Sequence, residues 1–153
     1  MATFPPFTER ARRRFSRTQQ VTAPPAAVFP LLCPVREWDC RLVYTESGLA
    51  EPGCIFQTDR PADGGLDTWV VSHYQPPHHI AFVRINSLRA MQYDIALAPE
   101  GGGSTILTWR QVVTSLSEAG DRHVASLKES DFAATIAKLE DLLNRYLGTE
   151  HVA

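Results

Sequence analysis

Cysteine is scarce and badly spaced. Cys33, Cys40 and Cys54 are an odd number with no CxxC pair, which argues against a disulfide framework or a structural zinc site and leaves them as buried or half-buried thiols. No apolar run reaches the ~18 residues that signal a membrane span. The stretch Met1 to Thr8 is short and carries Pro5 and Pro6, unlike a cleaved leader, so the expected setting is cytoplasmic with no integral membrane association. Excess charge of one sign is missing too: 15 Lys and Arg against 17 Asp and Glu leave a net charge of −2, which gives no bulk field for nucleic acid or an anionic bilayer. There is no GxSxG elbow and no P-loop. Gly101-Gly102-Gly103 sits between two strand patterns, so it reads as a hairpin turn, not a phosphate cradle.

What remains is a chain of 153 residues, 44% apolar, enough for one domain with a real core. Residues 1–153 are read as that single domain, with 1–13 as a flexible lead-in. Arg10, Arg12, Arg13 and Arg14 crowd the end of this lead-in, where they read as a solvated run, since no aromatic or glycine interleaving suggests a nucleic-acid arm.

The strongest periodic signal runs from Ser126 to Gly148. Leu127, Phe132, Ile136, Leu139, Leu143 and Tyr146 or Leu147 fall on one stripe, while Lys128, Asp131, Lys138, Asp141 and Arg145 keep mostly to the other side. The spacing predicts one long amphipathic helix, with Ser126 and Glu129 closing a capping box and Gly148 ending it.

Elsewhere the chain reads as strands. Phe15 to Thr22, Leu42 to Ser47, Cys54 to Asp59, Asp67 to Gln75, Ile80 to Ile85, Arg89 to Ala98 and Ser104 to Ser115 are separated by Pro, Gly and Asn-Ser punctuation. Short turns between them predict an antiparallel meander. After the first strand, Ala23-Pro24-Pro25 opens a short helix, and Val35 to Cys40 forms a second short helical or looped piece.

This order, with the Ala23-Pro24-Pro25-x-x-Val28-Phe29 step, the strand end at Tyr74-Gln75-Pro76-Pro77 and the closing amphipathic helix, resembles the START-related helix-grip superfamily, or SRPBCC, over roughly Arg14 to Leu147. That superfamily includes polyketide cyclases and aromatases and lipid-transfer domains. The resemblance implies an α+β fold: a curved antiparallel sheet of about seven strands wrapped round the long C-terminal helix, two short helices after the first strand, and a ligand cavity between sheet and helix. It carries no shared catalytic set, so it assigns no reaction to any residue.

Candidate site residues are those whose side chains would face such a hollow. Trp38, Tyr44, Phe56, Trp69, Phe82, Tyr93 and Trp109 supply aromatic walls, and Phe132, Ile136 and Leu139 the helix face. Arg84 alternates with Ile80 and Phe82, so it ends an apolar row as a forked donor for a carboxylate or phenolate, or else makes a rim salt bridge. Arg17 and Gln19 share parity with Phe15 and Val21. His73 shares a face with Trp69 and Val71, and parity leaves open whether that row is inward; it is the weak candidate for an acid–base catalyst. His78 and His79 are adjacent in a turn and point apart, so no metal is expected, nor any other cofactor. Glu37 and Asp39 read as solvent-facing carboxylates beside the Trp38 anchor.

The leading expectation is binding of a small hydrophobic or aromatic molecule, for transport or sensing, by a monomer or homodimer. Alternatives are a cyclase- or dehydratase-like enzyme in the same cavity, and a protein-interaction module related to chaperone-associated domains. The last of these predicts a filled interior and an apolar convex face.

Overall fold

The computed structural model describes residues 9–32, 40–48, 50–61 and 64–150. Its strands are β1 (Arg12–Val21), β2 (Arg41–Tyr44), β3 (Ile55–Arg60), β4 (Gly65–Gln75), β5 (His79–Ile85), β6 (Arg89–Glu100) and β7 (Ser104–Ser115). They form one curved antiparallel sheet in the order β1-β7-β6-β5-β4-β3-β2, so β1 crosses over to pair with the last strand and the others follow as a meander. The expected helix-grip architecture is present. Between β1 and β2 come the one-turn helix α1 (Pro25–Val28) and a 3-10 turn (Phe29–Leu32); α2 (Glu118–Ser126) and α3 (Glu129–Glu150) close the chain. The piece from Val35 to Asp39 expected as the second short helix lies outside the described residues.

One face of the sheet is apolar. On β5, Ile80, Phe82 and Arg84 are buried while their neighbours are half-buried or exposed, and β6 repeats the alternation with Met91, Tyr93, Ile95 and Leu97. Alternation of this kind aims every second side chain at the layer where α3 lies. Phe132 of α3 meets Phe15 of β1 with ring centroids 5.4 Å apart, and Ile136 and Leu147 continue the buried stripe.

The edge strand β1 is held by α3 through polar contacts as well. The side chain of Gln19 donates to the Ile136 carbonyl at 2.8 Å, while the backbone N–H groups of Gln20 and Thr22 donate to Glu140 (2.9 Å) and Asn144 (2.8 Å). These side chains cover donors that an edge would otherwise present to another chain.

Three expectations are corrected. The stretch from Ser126 is not one helix: Ser126 is the last residue of α2, its hydroxyl donates to the His123 carbonyl, and Leu127 is extended at φ −67°, ψ 136°. The N-cap serine is Ser117, whose Oγ accepts from Gly120 N at 3.0 Å, and Gly148 lies inside α3. The arginine run does not precede β1, since Arg12, Arg13 and Arg14 pair within it against Thr114, Val113 and Val112.

Gly120 fixes how α2 docks. A Cβ at that position would stand 2.0 Å from the Leu88 carbonyl oxygen and 2.7 Å from Ser115 Oγ, so the helix lies against the β5–β6 turn only because that position has no side chain.

Candidate ligand cavity

A cavity of about 840 Å³ lies beneath α3 on the concave side of the sheet. Its floor is aromatic. Trp69 of β4, Tyr93 of β6 and Trp109 of β7 line it in a row, with ring centroids 6.2 Å apart for Trp69 and Tyr93 and 5.7 Å for Tyr93 and Trp109. Phe132, Leu139 and Leu143 of α3 and Leu31 and Leu32 of the 3-10 turn face them. The more exposed lining is polar and comes from the α2–α3 corner: His123, Ser126, Lys128, Asp131 and Thr135.

One end of the floor is charged. Asp67, Arg84 and Arg89 are 1%, 7% and 0% exposed, an unusual burial for three ionic side chains. They meet because each stands on the inward parity of adjacent strands β4, β5 and β6. Arg84 donates from Nε (2.8 Å) and Nη2 (2.5 Å) to Asp67 Oδ2, and Arg89 closes a fork on the same carboxylate, Nη1 to Oδ1 at 2.9 Å and Nη2 to Oδ2 at 3.0 Å. The Arg84 guanidinium carbon sits 3.8 Å from the centre of the Trp69 ring, and Nη1 lies 3.8 Å from Met91 Sδ. Of the three, Arg84 lines the cavity.

The candidate residues separate accordingly. Trp69, Arg84, Tyr93, Trp109, Phe132 and Leu139 line the cavity. Phe56 and Phe82 do not; they are buried behind Trp69, with centroids 5.2 Å and 5.5 Å from its ring, and hold it in place. Ile136 is buried in the core contact with β1. Tyr44 is exposed on the edge strand β2, its hydroxyl 3.2 Å from Glu46, and Trp38 lies outside the described residues, as do Glu37 and Asp39. Of the β1 pair, Gln19 is buried against α3, while Arg17 is largely exposed, 3.7 Å from Glu129.

His73 is on the other side of the sheet. Val71 pairs with Phe82 and His73 with Ala81, so Ser72 is an extra residue that shifts the register. Such a bulge reverses the facing of everything beyond it, which turns Tyr74 inward against Phe29 and leaves His73 exposed. There its ring lies tilted against that of His79, centroids 4.3 Å apart, and His79 Nε2 is 2.6 Å from Asp94 Oδ2.

His123, Met91 and Gln111 line the cavity without having been singled out from sequence. Outside it, burial pushes the Cys54 thiol above its ordinary value, as suits an inert core cysteine, while Cys40 is half-buried.

A family profile described as polyketide cyclase / dehydrase and lipid transport matches residues 12–144. The chain belongs to this family. No curated protein matches the sequence. Among solved structures, norcoclaurine synthase from Thalictrum flavum, in complex with dopamine and hydroxybenzaldehyde, superposes with a TM-score of 0.63 at 10% identity, covering 88% of each chain. A protein from Rhizobium loti superposes with a TM-score of 0.62 at 15% identity over 89% of this chain and 98% of its own. A protein of the dynemicin biosynthetic locus reaches 0.57 at 22% identity over 90% of this chain but 48% of its own. At these identities the likeness is one of fold.

Proposed function

We propose that this family member binds a small, largely apolar or aromatic molecule in the cavity between the sheet and α3. The carrying observation is an interior of about 840 Å³ floored by Trp69, Tyr93 and Trp109, within the range typical of ligand sites. At ~25 cal/mol per Å², a ligand losing a few hundred Å² of apolar surface gains several kcal/mol before the entropic costs of association, a micromolar complex. The bound aromatic compounds of norcoclaurine synthase and the lipid-transport branch of the family support the same reading.

The alternatives fare less well. A cyclase or dehydratase acting through His73 would have its base on the convex face, away from the cavity. An interaction module with a solid interior does not accord with the hollow. The test is a fluorescence titration with the neutral probe N-phenyl-1-naphthylamine on the native chain and on Leu139→Trp, which places an indole in the cavity. Micromolar binding by the native chain and its loss in the folded variant are expected; no binding, or equal binding to both, would overturn the proposal.

A further inference from the structure

The wall formed by β7 carries two polar side chains that the protein itself leaves without a partner. Trp109 and Gln111 stand two residues apart on that strand, so they leave the same face about 7 Å apart at the backbone, and both line the cavity. The Trp109 indole Nε1 is buried and has no hydrogen-bond partner among the described residues. The side chain of Gln111 is half-buried and makes no hydrogen bond among them either. Its neighbours in register are Phe15 on β1 and Tyr93 on β6, two rings of the same cavity wall.

A polar group in an apolar wall is costly until something completes it, and buried polar groups in proteins are paired with few exceptions. Elsewhere in the lining the protein meets that need. The hydroxyls of Ser126 and Thr135 donate to the His123 and Asp131 carbonyls at 2.6 Å and 3.0 Å, and Arg84 donates to Asp67. Lys128 and Asp131 stand exposed at the α2–α3 corner, in reach of water. Nor does Gln111 tie sheet to helix in the way that Gln19 does through the Ile136 carbonyl. Indole offers a donor only, while a carboxamide offers donors and an acceptor, so the group that complements both is oxygen: a carbonyl accepts, and a hydroxyl accepts and donates.

We propose that the ligand carries a carbonyl or hydroxyl oxygen on the edge that lies along β7, with the Gln111 carboxamide as its hydrogen-bond partner and the Trp109 N–H as a second donor, and that its flat apolar body extends from there over Tyr93 towards Trp69. This rests on the cavity-binding reading above and adds the functional group and the orientation. Gln111 is then a specificity-determining residue. A bare hydrocarbon of the same shape would cut its amide off from water and give it no partner in return.

The test compares 2-acetylnaphthalene with 2-ethylnaphthalene, which share a shape and differ by one oxygen, through displacement of N-phenyl-1-naphthylamine from the native chain and from Gln111→Met. Methionine keeps the length of the side chain without its amide, and since that amide makes no hydrogen bond within the fold, the variant should melt no lower than the native chain. The affinity for the acetyl compound relative to the ethyl one should fall about fivefold in Gln111→Met, as the loss of one neutral hydrogen bond implies, with the affinity for 2-ethylnaphthalene kept or raised. A ratio unchanged by the substitution would overturn the assignment while leaving apolar binding in place. On the native chain, the Gln111 side-chain amide and Trp109 indole N–H resonances should move further with 2-acetylnaphthalene than with 2-ethylnaphthalene; equal movements would overturn the assignment whether or not the variant folds. Binding of none of the three compounds would overturn the cavity reading and this assignment together.

Discussion

The Arg84 guanidinium carbon stands 3.8 Å from the centre of the Trp69 ring, while its Nε and Nη2 donate to Asp67. One residue thus joins the apolar floor of the cavity to the ionic group at its end, and the consequences for stability and for binding separate cleanly by substitution.

Asp67→Asn would remove the carboxylate that Arg84 and Arg89 share. A loss of about 3–5 kcal/mol is expected, as for other buried pairs broken from one side. Arg84→Met, which leaves one guanidinium on one carboxylate, should cost much less. Urea denaturation of the two variants checks the order; equal losses would mean that Arg84 is as necessary to the core as Asp67.

Gly120→Ala should destabilise the α2 contact, because the new Cβ would need the 2.0 Å from Leu88 O to open to van der Waals distance. The acceptor is backbone and cannot swing away, so a loss of about 1–3 kcal/mol is expected. Calorimetric melting measures it, and an unchanged melting temperature would show that α2 can shift without cost.

His73→Ala is expected to change stability by no more than about 0.5 kcal/mol, the range of ordinary surface substitutions, and to leave binding of N-phenyl-1-naphthylamine unaltered. A weakened titration would place that face of the sheet in the binding function after all.

Asp121 sets an acid limit. Its carboxylate is held below the ordinary value of 3.8 chiefly by the Ala11 backbone N–H, then by the Ser115 hydroxyl and Arg10. A carboxylate with a depressed folded-state pKa adds stability that is fully present above its unfolded value and fades as pH falls through the folded one. The advantage of the native chain over Asp121→Asn should therefore be constant near neutrality and begin to shrink only as pH falls below the ordinary value of 3.8, toward the lower folded-state value. Denaturation midpoints of both chains between pH 7 and pH 2 would show it; a gap unchanged at pH 2 would contradict the assignment.

Much of this was legible in the residues. Alternation placed Arg84 on the row of Ile80 and Phe82, and turn punctuation separated the strands. Local pattern failed where a single backbone event changed the facing. The extra residue at Ser72 turns His73 outward, and nothing in DTWVVSHYQ marks it. The break at Leu127 and Lys128 has no Pro or Gly, and α2 buries little beyond Gly120 and Val124, so its apolar signal is faint and its His123 went unnoticed. Asp67 and Arg89 each open a strand pattern, and nothing local pairs them. Only their adjacency across β4, β5 and β6 makes them partners, a relation of register that sequence spacing does not carry. Aromatic type alone did not separate Trp69, which faces the hollow, from Phe56 and Phe82, which support it from behind.

The central claim is that the space under α3 is a binding site, and the indole N–H resonances of Trp69 and Trp109 report on it from two points of its floor. In a two-dimensional NMR titration with N-phenyl-1-naphthylamine, both signals should shift together with those of Phe132 and Leu139, saturating at micromolar concentration, while His73 and His79 on the opposite face stay still. Unmoved indole signals, or shifts confined to the His73 face, would contradict it.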